Sequence, residues 1–259
     1  MADKISRLGI LSQPAPLFWQ VNQVVPAWRM ALGTLLAATA VVGLGRLAHT
    51  AWAGYGYGGL IFLVITWPLG GWLWRNTRLT SATWGQTLLL VAASLAMGSA
   101  ATHMLGFNPQ ADGLSRLTPT AARQLLWQFP LVLPVENLVL LGGLIAVWQW
   151  VRPRGSGERL LVALVAALLF GLWHVPSWGG WTMLVIGLTV WPWTIYLFVT
   201  GDMLAPILAH VLLDVLAVLQ KAWPVGANQL LWPGVILALL VFGLLFSLWF
   251  DWHRARLRL

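Results

Sequence analysis

An all-α bundle of about eight membrane-spanning helices is the fold this sequence predicts, and three observations predict it. First, 59% of the 259 residues are hydrophobic and 8% are charged. A soluble domain carries about 25% charged residues, so this chain lacks the polar side chains to cover a water-facing surface. Second, the apolar residues gather in runs close to the roughly 20 residues a helix needs to cross a bilayer. Third, there are 19 tryptophans, whose indole rings favour the headgroup region.

The runs fall at about 28–48, 57–74, 83–105, 131–151, 159–176, 180–199, 203–219 and 229–250. Before the first, Lys4 and Arg7 lead into a stretch interrupted by Pro14, Pro16 and Pro26. That is unlike the unbroken apolar core of a signal peptide, and residues 1–27 read as an interfacial segment. Between the third and fourth runs lies the longest polar loop, with the turn signals Asn108-Pro109 and Asp112-Gly113. Thr118-Pro119 then supplies an N-cap and a first-turn proline. They open a short amphipathic helix expected to close at Pro130. With no repeat or linker, residues 1–259 read as one transmembrane domain, with its chemistry in 130–217.

Charge placement sets the expected topology. The formal net charge is +8, but the basic residues lie in short gaps between apolar runs, as topology signals do, so nucleic acid is not an expected partner. Eight spans put both ends on one side. That side holds 11 of the Lys and Arg residues, including Arg29, Arg152, Arg154 and Arg159; the other holds Arg46, Arg116, Arg123 and Lys221. Both termini are therefore expected in the cytoplasm. The absence of cysteine excludes thiol catalysis, disulfides and thiolate metal sites.

Seven acidic residues are present. Asp3, Asp112, Glu158, Asp202 and Asp251 fall in tails, loops or helix ends, where a solvated charge is the ordinary reading. Glu136 and Asp214 lie inside apolar runs, where each costs about 2.5–3.5 kcal/mol or more without a partner or a polar cavity. Among the histidines, His49 and His253 are at edges, whereas His103, His174 and His210 are inside. His103 stands alone on its run and reads as structural. His210 and Asp214 are four apart and share a helix face, as do Phe170 and His174. Glu136 is 16 residues from Arg152, about 24 Å along a helix, and His174 is 15 from Arg159, about 22 Å. Antiparallel helices thus set Glu136 and His174 at one level, and His210 and Asp214 can join them in a pocket open to the extracytoplasmic side. A carboxylate beside an imidazole can act as general base on water, and the second histidine with the Asp could stabilise an oxyanion, which suits amide hydrolysis. The same Glu136, His174 and His210 could instead ligate zinc, though on separate helices and without an HExxH pattern. Polar residues in a bundle also serve as plain interhelical hydrogen bonds.

Three of these runs resemble the motifs of the CPBP intramembrane proteases, the family of CAAX prenyl endopeptidases and Abi-type bacteriocin-processing or immunity proteins. Ala167-Leu168-Leu169-Phe170-Gly171-Leu172-Trp173-His174 resembles the family's F-x-x-x-H motif. Thr200 through His210 to Asp214 is similar to the H-x-x-x-N/D motif with its small-residue turn. Glu136-Asn137-Leu138-Val139-Leu140-Leu141-Gly142 is similar to E-E-x-x-x-R-G, with Asn137 for the second Glu and Leu141 for the Arg. The paired loss avoids an orphaned buried charge. The resemblance implies a metal-free, glutamate-type endopeptidase in which Glu136 activates water with His174, while His210 and Asp214 form the oxyanion site. Asn137, Phe170 and Trp173 would surround them, and the substrate would be a membrane-anchored protein. An outward pocket suits an exported protein, such as the C-terminal sorting signal processed by myxosortase-like members. A non-catalytic scaffold or immunity protein binding a membrane peptide is the competing expectation. It predicts Glu136 locked by a hydrogen bond or cut off from water. A proton-relay transporter through Glu136 and Asp214 ranks last for want of a repeat.

Overall fold

The computed structural model describes residues 23–76, 79–110 and 117–223, together with positions 238, 241, 245 and 248. The expected interfacial segment, the eighth run and the chain ends lie wholly or largely outside the described residues, as do several of the basic residues that set the expected topology. Within them the elements are α1 (Ala27–Leu47), α2 (Ala51–Ile65), α3 (Leu69–Asn76), α4 (Ser81–Leu105), α5 (Pro119–Val151), α6 (Ser156–Trp173), α7 (Val175–Trp178), α8 (Thr182–Thr200) and α9 (Leu204–Ala222). No strand occurs among the described residues. Among the described residues six helices, α1, α4, α5, α6, α8 and α9, are long and apolar enough to cross a membrane. The chain is an integral membrane protein.

α5 is the axis of the bundle. Its most apolar window is 67% buried, against 17–50% in the other spans, and it packs on α1, α2, α6 and α9. Leu133, Leu140, Leu141, Leu144 and Ile145 are sealed inside. Thr118 caps it as its sequence implies, its hydroxyl accepting from the Ala121 N–H at 3.2 Å. The expected stop at Pro130 does not occur. α5 runs through Pro130 and Pro134 to Val151 as one helix of 33 residues, about 50 Å long. Proline removes a backbone donor, but neighbouring helices in a bilayer sustain a proline-bearing helix. Conversely, the expected span 57–74 is broken at Thr66–Pro68 into α2 and α3.

Glycine decides two close helix crossings. A methyl on Gly171 of α6 would sit 2.4 Å from the Met183 carbonyl oxygen of α8, and one on Gly54 of α2 would meet the Val41 carbonyl oxygen of α1 at 2.6 Å. Small residues at such points let backbones approach where no hydrophobic force drives helices together. The first crossing lies one residue from Phe170 and three from His174, so it fixes where α6 delivers its histidine.

Two acids read as solvated charges turn out to be helix fasteners. The Glu158 carboxylate accepts from the Arg154 N–H at 2.6 Å, at the start of α6. α8 ends on Gly201 in the left-handed region, φ 72°, and Asp202 Oδ1 accepts from the Leu204 N–H at 2.9 Å. Asp202 thus satisfies a backbone donor that a helix start leaves free, and Glu158 ties the chain just ahead of its helix back to the first turn. Asp202 also accepts from the Tyr196 hydroxyl at 3.2 Å. The sharp turn and its fastening set the register of α9, and hence the position of His210.

Candidate active site

Four helices deliver the site. Glu136 and Asn137 come from the middle of α5, His174 from the end of α6, His210 and Asp214 from α9, and Tyr55 from α2. Glu136 is 5% exposed and Asn137 1%. Glu136 Oε2 lies 3.7 Å from His174 Nε2 and 3.5 Å from His210 Nε2. His210 Nε2 in turn lies 3.8 Å from Asp214 Oδ2, and the Asp214 side chain is 41% exposed. The level expected from the sequence is thus realised, and all four residues line one cavity of about 410 Å³. His103 is exposed in the last turn of α4 and takes no part.

The tautomers follow from donor chemistry. His174 Nδ1 lies 2.9 Å from the Phe170 carbonyl oxygen. A carbonyl only accepts, so Nδ1 carries the hydrogen, and Nε2, the nitrogen that is bare when the ring is neutral, faces Glu136. Asn137 Nδ2 donates to the Leu133 carbonyl at 2.8 Å, which fixes which end of the amide is nitrogen. The same NH₂ group lies 3.0 Å from His210 Nδ1. An amide NH₂ only donates, so His210 Nδ1 accepts and Nε2 carries the hydrogen. The two imidazoles therefore differ at the cavity: His174 turns toward Glu136 an Nε2 free to take or give a proton, and His210 presents an Nε2–H donor.

Rings hold both histidines in place. Phe170 lies 4.8 Å from His174 and 6.5 Å from His210, centroid to centroid. Trp173 meets His174 edge-on at 5.3 Å, and its indole N–H donates to the Ala38 carbonyl at 3.1 Å. Trp193, buried on α8, covers His210 at 4.9 Å. Phe170 and Trp173 therefore act as walls for the histidines. Asn137 grips His210.

Tyr55 is the residue that sequence reasoning missed. Its hydroxyl donates a short hydrogen bond to Glu136 Oε1. A signal existed. The chain has three tyrosines, and a phenol inside an apolar run needs a partner for its O–H. Nothing local to residues 51–65 indicated that the partner would be 81 residues away.

Among the described residues no group of three or more His, Asp or Glu is arranged to hold a metal ion. The donor set gives the reason: the cavity-facing nitrogen of His210 carries a hydrogen and is no ligand in that tautomer, and Tyr55 occupies one oxygen of Glu136. A zinc ion on Glu136, His174 and His210 would require His210 to carry its hydrogen on Nδ1 and to give up the Asn137 contact, and no step below runs through a metal.

The family model described as type II CAAX prenyl endopeptidase Rce1-like matches residues 118–216. That interval begins at the cap of α5 and ends just past Asp214, so it holds every site residue except Tyr55. No curated protein and no solved structure matches the chain.

Proposed function

We propose, from the premise that this chain belongs to the CPBP intramembrane protease family through residues 118–216, that it is an active, metal-free endopeptidase that hydrolyses a peptide bond in or near a membrane anchor. The observation that carries the reading is the placement of Glu136 Oε2 between the Nε2 atoms of two histidines, 3.7 and 3.5 Å away, on the wall of the 410 Å³ cavity. Contacts longer than about 3.5 Å leave room for a bridging water. A water seated there donates one hydrogen to Glu136 Oε2 and the other to the bare Nε2 of His174.

The step balances without a further reactant. Glu136 removes a proton from the water as its oxygen bonds to the scissile carbonyl carbon. The oxyanion that forms accepts from His210 Nε2–H, which Asp214 flanks at 3.8 Å. As the C–N bond breaks, the proton taken from water passes to the departing amine, with His174 as relay. Tyr55 holds Oε1, so that Oε2 is the oxygen that faces the water.

The cavity also includes Leu125, Phe129, Val132, Leu213 and Val218, an apolar lining suited to the side chains of an anchor segment. With the expected topology, it opens to the extracytoplasmic side of a cytoplasmic membrane. A membrane-anchored exported protein then fits better than a cytosolic prenylated tail, and a C-terminal sorting signal is the substrate we favour. Lipid and this anchored protein are the partners; nucleic acid is not one.

The Tyr55 bond to Glu136 is the observation that favours the inactive scaffold or immunity reading, since it restrains the carboxylate. It restrains one oxygen, however, and the other faces the cavity. The test compares membrane-protein termini in cells carrying the wild-type chain or Glu136→Gln. New termini on anchored, exported proteins with wild type and not with Glu136→Gln support the protease and name its substrate. Identical termini at equal levels of folded protein overturn it in favour of the scaffold.

A further inference from the structure

We infer that Asn137 is a positioning residue that locks His210 as a neutral Nε2–H donor, and that it divides the work between the two histidines. This rests on the peptidase reading for its catalytic consequence, but not for its structural core.

Asn137 is sealed at 1% exposure, and its amide orientation is not free. The Leu133 carbonyl, one turn back on α5, takes one N–H at 2.8 Å. The second N–H is thereby aimed at His210 Nδ1 at 3.0 Å. A carboxylate at position 137 would reverse the demand. It would accept from an Nδ1–H, and His210 would then turn a bare Nε2 toward two acceptors, Glu136 Oε2 and Asp214 Oδ2. Three acceptors facing one another need an extra proton, so the ring would become imidazolium. With Asn137 the conflict is absent: the ring is neutral, and its hydrogen points at the carboxylates. With Asn137 where the E-E pattern has its second Glu, His210 is held as a fixed donor. His174, whose Nδ1 is tied to a carbonyl, is left as the imidazole whose Nε2 can exchange a proton at the water. Asn137 Oδ1, buried and without a hydrogen-bond partner, agrees with this: the amide is held by its donors.

Nitrogen-15 NMR of the full chain, histidine-labelled and in lipid nanodiscs, reads this directly, with His210→Gln used to assign the signal. We expect a wild-type His210 with Nδ1 bare and Nε2 protonated, and Asn137→Asp with both nitrogens protonated. A wild-type His210 with Nδ1 protonated overturns the proposal whether or not Asn137→Asp folds, and whether or not the protein cleaves anything. A peptidase assay on the substrate found above gives the second arm. A Gln side chain can set an N–H near the former Nε2, whereas Asn reaches no further than Nδ1. His210→Gln should keep at least about a tenth of wild-type kcat and His210→Asn should fall about 10²–10³-fold, the cost of an oxyanion donor. His174→Gln, which keeps no base, should fall about 10²–10⁴-fold. Equal losses in His210→Gln and His210→Asn overturn the donor role. A wild-type protein that cleaves nothing sinks the peptidase reading and leaves the NMR result standing.

Discussion

Removing one oxygen atom, by Tyr55→Phe, separates the two readings of the Glu136 carboxylate. In the peptidase account the Tyr55 hydroxyl fixes Oε1 so that Oε2 meets the water. The substitution takes from Glu136 Oε1 the hydroxyl that donates to it. A hydrogen bond to a charged group contributes about 1.5–3 kcal/mol. If that restraint is needed at the transition state, kcat falls roughly 10- to 150-fold, at about 1.4 kcal/mol per decade. The ring remains and keeps its tilted contact with Trp173 at 6.3 Å, so the wall of the site is preserved and KM should change little. The assay is steady-state cleavage of the identified anchor substrate by purified protein in proteoliposomes, with thermal unfolding followed through the tryptophans as a fold check. A kcat within twofold of wild type would refute the positioning role. A kcat above wild type would show that Tyr55 is a lock, as the scaffold reading requires.

Other outcomes follow from single contacts. Asp214→Asn supplies a permanent N–H donor beside His210 and should retain kcat within about tenfold, while Asp214→Leu should lose about 10²-fold or more; the same cleavage assay checks both. Gly171→Val places a side chain against the Met183 carbonyl, 2.4 Å from the first added carbon. Overpacking of this kind costs about 1–3 kcal/mol, so a lower unfolding temperature together with reduced cleavage is expected. Asp202→Ala removes the acceptor for the Leu204 N–H and should cost about 1 kcal/mol of stability, read by thermal unfolding, with a smaller effect on cleavage than any site substitution. Exhaustive treatment with a strong chelator should leave turnover unchanged. A loss restored by zinc would show that the ring tautomers rearrange around a metal.

The motif residues were legible because depth in a membrane helix can be counted. Arg152 and Arg159 mark a surface, and the rise per residue carries Glu136 and His174 to one level. The structure meets this expectation with an oxygen-to-nitrogen distance of 3.7 Å. Thr118 was legible as a cap because capping is local chemistry. Pro130 misled because its effect is not local: whether a helix survives a proline depends on what packs around it, and α5 is the most enclosed of the described spans. The break at Thr66–Pro68 escaped notice since the apolar run continues through it. Tyr55 escaped for a related reason. Its role exists through a contact across 81 residues, and no periodicity on α2 encodes that. Asn137 was visible as a departure from a pattern, yet its consequence depends on two hydrogen bonds, to Leu133 and His210, that require coordinates.

The central claim is that Glu136 activates water for attack on a peptide bond. The most direct measurement reconstitutes the purified chain with a library of membrane-anchored peptides in water enriched in oxygen-18, and reads the new carboxyl termini by mass spectrometry. The account predicts new termini bearing one heavy oxygen with wild type, and a fall of at least about 10²-fold in their yield with Glu136→Gln. Heavy-oxygen termini formed equally well by Glu136→Gln, with both proteins folded, would contradict it.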